Sequence, residues 1–145
     1  MPGSSNNSTD SERSGKVAAA ISNGVVKLLR DYTGRGPTKT RTYINGDYLA
    51  VVMYDTLTKG ERSLVEDGRS ELVLAARKAY QQTMRDDLIG LVERLSERKV
   101  IAFLSDNHLD PDIAVESFIL EQIGADGDRD GDGGVDRLVS ADATD

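Results

Sequence analysis

The chain has 145 residues, 38% of them hydrophobic and 30% charged, which is the size and balance of one water-compatible domain. The absence of cysteine excludes a disulfide framework, a thiolate metal site and a cysteine nucleophile. No apolar run reaches the ~18 residues a membrane helix needs, so no direct membrane insertion is expected.

Residues 1–15 are Ser-, Asn- and Gly-rich with almost nothing to bury, so they are expected to form a disordered N-terminal tail. They lack the positive start and apolar stretch of a secretory signal, and a cytoplasmic location is expected. A single α+β domain is expected over 16–123. Its first helix is predicted over 16–33, where Val17, Ala20, Ile21, Gly24, Val25, Leu28 and Tyr32 share one face. Gly34 suits the left-handed position past the helix end, and Pro37 prevents the helix from resuming.

Two β-rich runs follow, Thr40–Ile44 and Asp47–Asp55, separated by Asn45-Gly46, the pair favoured in a type I′ hairpin. That turn sets Tyr43 opposite Tyr48, Thr42 opposite Leu49 and Arg41 opposite Ala50. One face then carries Ile44, Leu49, Val51 and Met53. The other carries Lys39, Arg41, Tyr43, Tyr48, Ala50, Val52 and Tyr54.

Thr58-Lys-Gly-Glu61 has the spacing of a capping box and opens a short helix ending near Gly68. A helical region is predicted over about 70–97, with Leu72, Ala75, Ala76, Ala79 and Tyr80, then Leu88, Leu91, Val92 and Leu95. The polar run Gln81–Asp87 is a point where it could divide in two. Val100–Leu104 is an apolar run of strand length. Ile113–Leu120 is ambiguous: Asp110-Pro-Asp112 is a good helix start, but the β-branched content and the short loop after the preceding strand favour a hairpin. Strand is adopted. The expected fold is α+β, a four-stranded, mainly antiparallel sheet of two hairpins with helices packed on one face, in the order α-β-β-α-α(α)-β-β.

Residues 124–145 hold seven Asp against Arg129 and Arg137, which accounts for most of the net charge of −7. They are expected to form a disordered acidic Gly/Asp tail. Asp126–Gly134 alternates Asp as calcium loops do, but Arg137 or Val139 stands where the bidentate Glu is required.

The ordered set Gly34-Arg-Gly-Pro37, Thr40-Arg-Thr-Tyr-Ile-Asn-Gly-Asp47, Leu57-Thr-Lys-Gly-Glu61 and Val100-Ile-Ala-Phe-Leu-Ser-Asp106, followed by Ile113–Leu120, resembles the MpsC-like family. The resemblance covers about 16–121. It implies a small cytosolic bacterial domain and a strand at 113–120. It also implies an accessory role beside a membrane system that moves ions or inorganic carbon. No catalytic residues come with it, and Gly34, Gly36, Pro37 and Asp106 are carried over as structural or binding positions.

Three candidate sites emerge from the residues. Gly34, Arg35, Gly36, Pro37, Lys39 and Arg41 form a glycine-rich, basic stretch that could hold a small anion, a nucleotide or a partner. Against this, the helix end there disfavours anions, and the Gly-Lys-Ser/Thr ending of a P-loop is missing. Tyr43, Tyr48, Val52 and Tyr54 give the hairpin an apolar-aromatic face suited to a homodimer or partner interface. Nucleic acid is disfavoured by a nearly neutral domain and an acidic tail. Asp106 and His108 are weak candidates for a metal or for acid–base work, since Asp106–Asp112 also reads as a polar turn. The leading expectation is a non-enzymatic accessory or binding module that needs no cofactor. A small-anion or nucleotide regulator and an enzyme using Asp106 and His108 are the competing readings.

Overall fold

In a computed structural model the structure describes residues 2–122; the acidic segment 124–145 lies outside them. The element order is α1 (Pro2–Thr33), β1 (Lys39–Asn45), β2 (Tyr48–Tyr54), α2 (Lys59–Glu66), α3 (Ser70–Ser96), β3 (Val100–His108) and β4 (Ile113–Leu120). The four strands form one sheet in the order β1-β2-β4-β3 with every neighbouring pair antiparallel. The chain is therefore α+β, two hairpins joined through β2 and β4, as the sequence predicts.

α1 packs through Ile21 and Val25, both fully buried, on the face that the apolar spacing selects. It begins at Pro2, ahead of the first apolar repeat at Val17, and residues 9–16 are exposed throughout. Gly34 closes it with φ +83° and a backbone bond from its N–H to the Arg30 carbonyl at 2.9 Å. Gly24 lies where α1 crosses α3: a Cβ there would come within 2.7 Å of Leu91 Cδ1.

The first hairpin differs from its expected register. Asn45 pairs with Tyr48, Ile44 with Leu49 and Tyr43 with Ala50, so Gly46-Asp47 forms the turn instead of Asn45-Gly46. The left-handed φ falls on Gly46 (+65°) and not on Asp47, the requirement of a type II′ and not a type I′ turn. Each partner moves two positions along β2. Strands alternate with a period of two, so every side chain keeps its predicted face.

Leu49, Val51 and Met53 from β2 join Ala114, Phe118 and Leu120 from β4 beneath Met84, Leu88, Leu91 and Val92 of α3. Both helices thus lie on one face of the sheet. β4 alternates half-buried and buried positions along its whole length, the period-two pattern of a strand. Phe118 and Phe103 meet at 5.0 Å between ring centroids.

Two further expectations are corrected. α3 is one uninterrupted helix, and its buried positions are Val73, Met84, Leu88, Leu91 and Val92, while Leu72 and Tyr80 are 48% and 44% exposed. Ala75, Ala76 and Ala79 are exposed, and in this half of the helix Val73 is the residue that is buried. β3 continues to His108, through residues expected to form a polar turn. Backbone pairing with β4 does not require apolar side chains, and Asp106 and His108 project to the uncovered side.

The capping box is present as predicted. Thr58 Oγ1 accepts from the Glu61 N–H at 3.1 Å, and Glu61 Oε1 accepts from the Thr58 N–H at 2.9 Å. Thr58→Ala removes one of these bonds and is expected to lower stability by about 1 kcal/mol. A urea melt checks this, and a midpoint equal to that of the wild type would contradict it.

Candidate functional site

The elements separate two places with chemical potential, one on each side of the sheet. The first is a cleft of about 220 Å³ on the helix-covered side, bounded by α1, α3, the loop before β1 and the start of α2. Its walls are largely apolar, with Leu29, Met53, Met84 and Tyr80, and its polar groups are Arg35, Glu61, Arg77, Asn107 and Glu116.

Arg77 organises the polar wall. Its Nε and Nη2 donate to Glu61 Oε2 and Oε1 at 3.0 and 2.7 Å, a bidentate fork. Its remaining N–H groups reach Thr56 Oγ1 at 2.9 Å, the Thr56 carbonyl at 2.8 Å and Asn107 Oδ1 at 3.3 Å. Burial works to raise the Glu61 pKa, but the Arg77 bonds and charge and the cap N–H outweigh it and hold the carboxyl below its ordinary range.

Arg35 sits at the rim and donates to the Asp55 carbonyl at 2.5 Å and to Asp55 Oδ2 at 3.1 Å. Arg62 donates to the other Asp55 oxygen at 3.0 Å and lies 3.7 Å from Asp112. Asp112 in turn accepts from Thr56 Oγ1 and the Leu57 N–H, both at 2.9 Å. Desolvation opposes ionisation of Asp55, but Arg35, Thr38 and Arg62 together hold its pKa low.

Glu116 is the exception in this set. It is 3% exposed, and its Oε1 has no hydrogen-bond partner among the described residues. Burial pushes its carboxyl up to about 7, against the opposing influence of the Ser105 hydroxyl and the Arg77 charge. Ser105 is its cross-strand neighbour, and the Ser105 Oγ is likewise buried without a partner.

The second place is the other side of the sheet, which no described element covers. Its central strands present Tyr48, Ala50, Val52 and Tyr54 beside Ile113, Val115, Ser117 and Ile119. The pairings line up side chains in rows across all four strands. One row reads Arg41, Val52, Val115, Asp106, and the next reads Lys39, Tyr54, Ile113, His108. Lys39 Nζ lies 5.1 Å above the Tyr54 ring, and Tyr48 Oη is 2.9 Å from Ser117 Oγ.

The structure therefore divides the glycine-rich basic stretch. Gly34, Arg35, Gly36 and Pro37 lie on the cleft side, with Arg35 held by Asp55. Lys39 and Arg41 face the opposite way with Tyr43, Tyr48, Val52 and Tyr54. Asp106 and His108 share that second face on β3. Asp106 Oδ1 accepts from the Asn107 N–H at 2.9 Å, and His108 Nδ1 is 2.8 Å from the Pro111 carbonyl. Among the described residues no group of three or more His, Asp and Glu is placed to hold a metal ion.

Sequence reasoning missed Glu116 and Arg77. Both had a signal: Glu116 occupies the inward file of an alternating strand, between Ala114 and Phe118. Arg77 lies four residues after Val73 and seven before Met84, on the buried stripe of α3. A charge on either stripe marks a polar group kept inside for a reason.

The family model described as Na+-translocating membrane potential-generating system (MpsC) matches residues 13–122. No curated protein and no solved structure matches the chain.

Proposed function

Because the chain belongs to the MpsC family, we propose that it is a non-enzymatic accessory module of a sodium-linked membrane system, acting as a homodimer paired through the uncovered sheet face. Among the described residues no helix is long and apolar enough to cross a membrane. Its connection to the membrane then runs through a protein partner.

The row Arg41, Val52, Val115, Asp106 carries this reading. A cation stands at one end, an anion at the other, and apolar side chains lie between. A two-fold axis parallel to the strands lays β1 of one copy over β3 of the other. Arg41 then meets Asp106 of the second copy at both ends, and the valines close the centre. Aligned sheet-on-sheet packing of this kind is a stable way to bury two such faces.

Sedimentation tests it. Wild type is expected at dimer mass and Val52→Asp at monomer mass. Arg41→Asp is expected to weaken the dimer at least tenfold, and adding Asp106→Arg in the same chain restores it. A monomeric wild type overturns the reading, as does a Val52→Asp protein that stays dimeric.

A further inference from the structure

Beneath the helices two neighbouring buried polar atoms lack a partner among the described residues, Glu116 Oε1 and, across the strand pair, Ser105 Oγ. Glu116 belongs to the cleft wall, and its Oε1 is buried and unpartnered. A buried acceptor without a donor is costly, and native interiors rarely keep one without use. The cations nearby do not supply the missing donor. Arg77 is bound to Glu61, Thr56 and Asn107, and Arg35 is bound to Asp55. The Arg77 bonds occupy its whole guanidinium and the Arg35 charge is matched by Asp55, so the cleft's chemistry favours a ligand that donates.

We propose that this cleft binds a small organic amine in its protonated form, with the ammonium on the Glu116 carboxylate and the hydrocarbon body against Leu29, Met53 and Met84. An ammonium offers three donors and no acceptor. Asn107 Oδ1, on the same wall, accepts only a long 3.3 Å bond from Arg77 and keeps a lone pair for a second contact. An amine with a short apolar chain satisfies the orphaned oxygen and fills the apolar walls together. A carboxylate of the same length would set two anions side by side.

The charged groups facing Glu116 are Arg77 from α3, Glu61 from α2 through Arg77, and Arg35 from the loop after α1. The other polar neighbours, Ser105 and Asn107 on β3, do not titrate. Ionisation of Glu116 therefore governs the site. Hexylamine stays protonated through neutral pH, so its affinity is expected to rise about tenfold between pH 6 and 8.

The experiment compares hexylamine, hexanol and hexanoate on the full chain at pH 8, by thermal shift and by the methyl signals of the three methionines. Hexylamine is expected to stabilise the protein and to shift the Met53 and Met84 methyl signals. Glu116→Gln is expected to lower its affinity at least tenfold while leaving hexanol unchanged. The idea is overturned if hexanoate binds as well as hexylamine, if Glu116→Gln keeps the affinity, or if those two methyl signals do not move. None of these outcomes depends on whether the chain dimerises.

Discussion

Arg77→Met is expected to destabilise the protein by about 3–5 kcal/mol, the usual cost of removing one member of a buried, hydrogen-bonded ion pair. The Arg77 and Glu61 side chains are only 15% and 17% exposed, so water can replace little of what the fork provides. The substitution keeps the aliphatic bulk of the side chain and removes its hydrogen bonds to Glu61, Thr56 and Asn107. Glu61 is then left on the capping box alone, and α2 loses its main tie to α3. Urea denaturation measures the effect. A loss below about 1 kcal/mol, the scale of a surface ion pair, would show that the fork contributes little. The Arg77→Met protein should also lose part of its acid sensitivity. The Glu61 pKa is lowered in the fold, so its contribution is present above the ordinary carboxylate range and disappears as the pH falls through it.

Glu116 gives the opposite sign. Its folded pKa of about 7 lies above the ordinary 4.5, so the folded protein holds a proton that the unfolded chain releases. Stability then falls as pH rises from about 4.5 to about 7, and stays reduced at higher pH. Glu116→Gln removes this dependence. It is expected to be more stable than wild type by about 2–3 kcal/mol at pH 8, and equal to it near pH 4. Denaturant melts at several pH values provide the check. Two curves that run parallel across the whole range would refute the assignment of a buried, ionisable Glu116.

Local chemistry made most of the fold readable in advance. The Thr58/Glu61 box, the left-handed Gly34 and the alternation of β1 and β2 each depend on a few neighbouring residues, and each appears where expected. The errors occur where distant parts of the chain decide. Gly46 can serve either a type I′ or a type II′ turn, and pairing with the rest of the sheet selects between them. In the first half of α3 the buried position is Val73, with Leu72 and Tyr80 exposed, and apolar spacing alone did not select it. The uncovered face was legible from the parity of the hairpin alone. The cleft was not, since it takes its walls from α1, β2, α3 and β4. Only the fold brings Arg77 and Glu116 to one place. Arg35 and Arg41 are six positions apart and read as one basic stretch, yet the start of β1 turns them to opposite sides.

The irregular step in β3 between Val100 and Ala102 has a consequence for how copies of the chain can meet. A bulge bends the outer rim of that strand and spoils its regular line of free amide and carbonyl groups. The opposite rim, β1, carries the charged Lys39 and Arg41, which discourage a second strand from aligning there. Edge-to-edge pairing is therefore disfavoured at the bulged start of β3 and along the charged margin of β1.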